Sequence, residues 1–341
     1  MLNRSQIYTL LILRNREDTI FSQLPIELIR EISEFGQNPN SEFATTLKHV
    51  ARGELEEAKA MLDQNPRFVL QSGTVMTRAG LTVCQKTPLE VALGEGDPEM
   101  AAMIMPYFSQ FEGGEREKER QLERYRPLIE HVQNQKPYDL TKLIELIKNS
   151  SAKDVTAALH KDMEHDSNLR DALIQFRKDV NLSIVKKPQM HYNYQTIIHA
   201  LEIFDREWDN LYRASGNNYD KCDLVWRQVI GYLQRGLPAV DRFAFARGLY
   251  DLVENKMKMS LERNVEYKYG NGSFLDTSSG EDLAGLGFDY GIWAGGGCGR
   301  RGNRVATGGV GVSLVTKLMS NKNFRLQNLC EPPQNRNRVH V

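Results

Sequence analysis

The sequence predicts a mostly α-helical protein built of several packed units, and three observations carry that expectation. Apolar residues recur at helical spacing through most of the 341 residues, as in 194–213 and 240–258. Breakers punctuate them: Gly36 with Asn38-Pro39-Asn40, then Glu112-Gly113-Gly114, then Pro238. Only two stretches depart from the pattern, a Val/Thr-rich run at 68–86 and a glycine-rich run after about residue 260. The composition is that of an ordinary globular chain, 40% hydrophobic and 26% charged, with Lys+Arg and Asp+Glu equal at 44. Neither disorder nor a general attraction to nucleic acid or a membrane surface is expected from that balance.

Residues 1–40 form the first unit. The apolar run Ile7–Leu13 is shorter than the roughly 20 residues that span a bilayer. Arg14, Asn15, Arg16 and Glu17 follow it instead of a small-residue cleavage site, so it reads as a buried helix, and no transmembrane segment is expected. Pro25 suits the first turn of a second helix, where its missing N–H would be unpaired in any case. Leu24, Leu28, Ile32 and Phe35 then make one apolar stripe before Gly36.

Residues 41–111 hold two similar helix pairs. The segments FATTLKHVARGELEEAKAMLDQNP and TPLEVALGEGDPEMAAMIMPYF align when Gly53 is set on Gly96, which also matches Ala58 with Ala101. A glycine between short helices permits the positive φ of a tight turn. Between the pairs, 68–86 reads as a β-hairpin finger with Arg78-Ala79-Gly80 at its tip, a candidate ligand contact. Residues 115–258 read as a helical domain: a charged helix at 115–133, then 139–150 with Asp139 as cap, and another opened by Ser151 and Asp154. Strong amphipathic helices follow at 194–213, 220–235 and 240–258. Residues 259–330 read as a small, irregular, glycine-rich α/β region, locally basic through Arg300, Arg301, Arg304, Lys317, Lys322 and Arg325. The last residues, 331–341, read as a disordered tail.

Two motifs carry a family resemblance. Leu24-Pro25-Ile26-Glu27-Leu28-Ile29-Arg30-Glu31-Ile32 resembles the first helix of F-box domains, LPxELxxxI. That resemblance implies docking into the groove of a Skp-type adaptor of a cullin-RING ubiquitin ligase, with Leu24, Pro25, Leu28 and Ile32 inserted and Glu27 at the rim. The second half of the family's motif, with its Cys/Trp-containing helix, has no counterpart here. TPLEVALGEGDPEM resembles the ankyrin repeat pattern, so the two helix pairs are read as ankyrin-like, although the first lacks Thr-Pro. An F-box-like helix joined to ankyrin-like pairs and a helical domain looks like effector proteins of intracellular bacteria that use type IV secretion. The resemblance implies action in the cytoplasm, and for a secreted effector in the host cell cytoplasm.

Candidate chemistry is sparse. Cys84, Cys222, Cys298 and Cys330 form no CxxC pair, which fits a reducing compartment better than a disulfide framework or zinc site. Gly297–Gly302 matches GxGxxG, yet the glycines that follow and the lack of an acidic residue between Arg304 and Glu331 argue against a dinucleotide site, and no cofactor is expected. Cys298 is the weak catalytic candidate: glycines expose it, neighbouring arginines favour thiolate, and His49, His191 or His199 would have to act as base. Asp276, Glu281, Asp282 and Asp289 fit no calcium loop, and His160 with His165 fits no metal spacing, so no metal is expected. Trp208 and Trp226 are candidates to border a groove for a target protein. Three readings follow: an adaptor that couples a ubiquitin-ligase component to a target, an enzyme centred on Cys298, and an ankyrin-like scaffold with no ligase link. The first is preferred; catalysis is the lesser expectation, and no specific nucleic acid is expected.

Overall fold

The computed structural model describes residues 41–180, 192–254, 285–296, 298–302 and 309–331. The 24–32 motif and most of the tail lie outside them, as do 259–284 of the glycine-rich region. The described residues are mostly helical, with two small antiparallel two-stranded sheets.

The first helix pair is α1 (Glu42–Ala51) and α2 (Leu55–Gln64), followed by a 3₁₀ turn at Pro66–Leu70. Ser41 caps α1 by accepting the Ala44 N–H at 3.2 Å. The second pair is α3 (Pro88–Gly94) and α4 (Pro98–Ile104). Here Thr87 and Glu90 complete a reciprocal capping box, and the buried Thr87 hydroxyl also donates to Gln121 at 2.7 Å. The matched glycines do the same work in both pairs: Gly53 has φ 69° and Gly96 has φ 61°.

The hairpin is β1 (Gly73–Met76) with β2 (Thr82–Lys86), paired Val75 to Val83. It does not stand clear of the helices, because β1 packs along α1. At its tip Arg78 turns back, donating to Glu54 at 2.9 Å and to the Arg52 carbonyl at 3.3 Å.

The charged helix is α5 (Gly114–Gln133). Its stripe of Leu122, Tyr125 and Ile129 enters the core of the helix pairs, with Leu47, Leu89, Leu93 and Phe108. α5 thus completes the first core, and the second begins at Leu140.

That second core gathers α6 (Thr141–Asn149), α7 (Ala152–His160), α8 (Asn168–Asp179) and α9 (Gln195–Ala214). Asp139 sits one residue before the Leu140 cap position of α6 and accepts the Thr141 N–H at 2.9 Å. The expected helix at 220–235 is not one regular helix. It runs as α10 (Asp220–Leu224), a π-helical turn at Val225–Ile230, and α11 (Gly231–Gln234). Such a turn re-aims the side chains it carries, here Trp226, Arg227 and Gln228. The next helix divides into α12 (Ala239–Arg247) and α13 (Leu249–Glu254) at Gly248, whose φ is 101°.

The last element is α14 (Gly309–Cys330). Gly309 and Gly311 do not prevent it, because its apolar residues are held by tertiary packing rather than by propensity. Leu314, Val315 and Leu318 enter the second core; Leu326 and Cys330 enter the first. Arg126 of α5 donates through Nε to the Cys330 carbonyl at 2.8 Å. One helix thus staples both cores.

Candidate functional site

Residues 285–302 lie across the second core, and the π-turn is what they lie on. Trp226 is 1% exposed; its indole N–H donates to the Gly299 carbonyl at 3.0 Å. A Cβ on Gly291 would come within 2.9 Å of the Trp226 ring, and one on Gly302 within 2.9 Å of Phe204 and 3.2 Å of Trp226. Glycine at these two positions therefore serves close packing over an aromatic floor. Arg227 donates to the Phe288 carbonyl at 3.0 Å and to the Leu159 carbonyl at 3.1 Å. Gln234 uses its side-chain amide as a strand would, giving its N–H to the Ile292 carbonyl at 2.8 Å and accepting the Ile292 N–H at 2.7 Å. Ile292 belongs to β3 (Gly291–Ile292), paired with β4 (Cys298–Gly299).

The sequence places Trp226 beside Trp208 at a groove; the structure separates their roles. Trp226 is floor, covered by the glycines, and borders no groove. Trp208 is half-buried, packed edge-on against Phe204 at 5.0 Å between ring centroids, and 6.3 Å from Tyr219. Tyr219 is 40% exposed and lies 5.0 Å from Tyr212, and the Arg301 guanidinium sits over its ring at 5.1 Å. Trp208, Tyr212, Tyr219 and Arg301 thus form one aromatic edge at the end of α9. Beside it, Asp223 faces Arg301 at 3.4 Å; burial pushes its carboxyl up to about 6 against the pull of Arg301 and Arg227. Trp208, Tyr212 and Tyr219 are near neighbours in the chain, whereas Arg301 reaches them only from the 298–302 segment, so the cluster with its cation is not a spacing signal.

The remaining candidates fall in other places. Arg78, at the hairpin tip, bonds Glu54 and also lies over the Phe243 ring of α12 at 5.6 Å, so it bridges the two cores instead of reaching outward. Cys298 is in β4 opposite Ile292, and its side chain lies outside the described residues. Of the proposed bases, His49 bonds Glu54 at 2.6 Å in the first core, His199 lies 3.9 Å from Glu202, and His191 is outside the described residues. Asp276, Glu281 and Asp282 are likewise outside. Asp289 is inside: burial opposes its charge, yet Lys161 at 2.7 Å and the Gly285 N–H at 2.8 Å hold its carboxyl below the ordinary range. His165 bonds Asp154 at 2.7 Å. Among the described residues no group of three or more His, Cys, Asp or Glu is placed to hold a metal, and no helix is long and apolar enough to cross a membrane.

Compared with protein-family models, with curated proteins and with solved structures, the chain finds no match. Its function is therefore argued from its own residues.

Proposed function

We propose that this chain is a protein-interaction protein that holds two partners at once, in the manner of an adaptor. The single observation that carries the reading is the aromatic edge of Trp208, Tyr212, Tyr219 and Arg301. Tyrosine, tryptophan and arginine dominate the energetics of protein interfaces, because each joins a large apolar surface to a polar handle. Here the four are pre-organised by mutual stacking, which lowers the entropy lost on binding. The target is held at this edge. The other partner is met by residues 24–32, whose LPIELIREI resemblance supports a Skp-type ligase adaptor bound through Leu24, Pro25, Leu28 and Ile32, with Glu27 at the rim. The ankyrin-like helix pairs and their hairpin serve as the spacer between the two sites. In this reading the chain acts in a host cytoplasm as a secreted effector.

Purified Skp-type adaptor titrated into the full chain tests the first half. Binding that is lost in Leu24→Ala/Pro25→Ala supports it; no binding, or binding indifferent to both substitutions, leaves only a scaffold with no ligase link. Quantitative co-precipitation from host lysate tests the second half. The wild type and Leu24→Ala/Pro25→Ala should retain the same target, and Trp208→Ala/Tyr219→Ala should lose it. Retention by all three removes the aromatic edge as the target site.

A further inference from the structure

A cleft opens between α7, the 161–167 loop and α8, with Gln228 and Phe288 also lining it. Its cations are of two kinds. Lys161 holds Asp289 at 2.7 Å, Arg170 holds Asp166 at 2.7 Å and Asp171 at 2.9 Å, and His165 bonds Asp154 at 2.7 Å. Arg177 is different. Among the described residues no carboxylate pairs with it: Nη2 donates to the neutral Gln228 Oε1 at 2.6 Å, and Nε is buried with no acceptor. Gln228 is itself fixed, since its Nε2 donates to the Ala158 carbonyl at 2.6 Å. The Arg177 guanidinium lies 4.7 Å from the centre of the Phe288 ring, and Arg235 lies 5.1 Å from the same ring. Burial pushes Arg177 down to about 10, with Tyr232 acting against that shift and Arg235 adding to it, which still leaves it charged at neutral pH. Asp162 lines the cleft too, but it is turned to the backbone N–H groups of Glu164 and His165 at 3.0 and 3.2 Å.

Arg177 is half-buried, its Nε is buried without an acceptor, and no carboxylate among the described residues faces it, which makes it a candidate to take a counter-charge from a ligand in the cleft. We infer that the cleft binds a small monocarboxylate, with Arg177 as the group that pairs with it. One uncompensated charge matches a monoanion. A phosphate dianion would call for a second free cation, and the other cations lining the cleft already hold carboxylates or bond to one. The walls set the rest of the ligand: Ala157, Ala158 and Leu173 are apolar, and Met163 stands 43% exposed, so a short aliphatic body suits the space.

The test uses the full chain and butanoate, titrated by calorimetry at constant ionic strength against chloride, with inorganic phosphate in parallel. Butanoate should bind saturably and more tightly than phosphate. Arg177→Met should weaken butanoate by about tenfold or more. Met163→Asp changes an exposed residue and should leave folding intact; it places a carboxylate at the mouth and should also weaken butanoate by about tenfold. The inference is overturned if butanoate gives no saturable heat, if phosphate binds the more tightly, or if Met163→Asp leaves the butanoate affinity unchanged.

Discussion

The two cores of this chain are built by different means. In the first, helix ends are closed by their own neighbours: Ser41 on Ala44, Thr87 on Glu90, Asp97 on Met100. Its helix pairs turn on Gly53 and Gly96, and its hairpin joins strands only a few residues apart. In the second, the decisive bonds span long stretches of chain, such as Trp226 to Gly299, Arg227 to Phe288, Gln234 to Ile292 and Lys161 to Asp289. Glycine takes on an added role in the second core. In the first core Gly53 and Gly96 supply a positive φ for a turn; in the second Gly248 does likewise, and Gly291 and Gly302 supply room over an aromatic ring. Local pairing makes a spacer that tolerates change one element at a time. Long-range pairing brings Arg301 onto an aromatic edge whose rings, Trp208, Tyr212 and Tyr219, are close in the chain.

The largest expected effect breaks the separation between the cores. Lys322 of α14 and Asp241 of α12 form a buried ion pair that Tyr194 joins, and α14 enters both cores. Lys322→Met should destabilise the protein by about 3–5 kcal/mol, since it leaves the Asp241 carboxylate buried without its cation. Hydrogen exchange should accelerate in both α5 and α9. Acceleration in α9 alone would mean that α14 is no staple.

Gly291→Ala comes next and acts on the second core alone. Its Cβ would press on the Trp226 ring, and a loss of about 1–3 kcal/mol is expected, with a change in tryptophan fluorescence. Gly309→Ala is the control, because a Cβ there meets nothing within 4 Å. It should be neutral or slightly stabilising.

The pH dependence of the second core should follow Asp223. Its carboxyl titrates near 6 when folded, against an ordinary value of 3.8, so the folded state binds more protons between these values. Stability from this group is therefore greatest at the acid end and falls as pH rises through that window, by up to about 3 kcal/mol. Asp223→Asn should remove the slope and stabilise the protein above about pH 7, measured by denaturant unfolding at several pH values. A slope that persists unchanged would assign it to another group.

The smallest effect belongs to the first core. Thr87→Ala removes one side of a capping box and a bond to Gln121, for a loss of about 1–2 kcal/mol. Exchange should rise around α3 and stay unchanged at Trp226; a response at both would deny the local character of the first core.

The same division sets what could be read from the sequence. The helix pairs, the hairpin and the Ser151 and Gly96 signals were legible, because caps, turns and periodicity are properties of neighbouring residues. The mostly helical class followed from periodicity as well. The π-turn at Val225–Ile230 was not legible, since its residues fit a regular amphipathic helix equally well. Nor was the partition of the two tryptophans: both are large and apolar, and only the docking of 285–302 buries Trp226 and leaves Trp208 at an edge. The reach of α14 was masked by Gly309 and Gly311, whose weak helix propensity is outweighed by burial of Leu314, Val315 and Leu326. The uncompensated Arg177 could not be found from spacing, because its character lies in what does not pair with it.

In the proposed function two partners are held by separate sites. The deciding measurement is a titration of purified Skp-type adaptor into three forms of the full chain: wild type, Trp208→Ala/Tyr219→Ala and Leu24→Ala/Pro25→Ala. The account predicts equal adaptor affinity for the first two and loss of binding in the third, a fall of about a hundredfold or more. Equal affinity in all three, or no adaptor binding by the wild type, would contradict it.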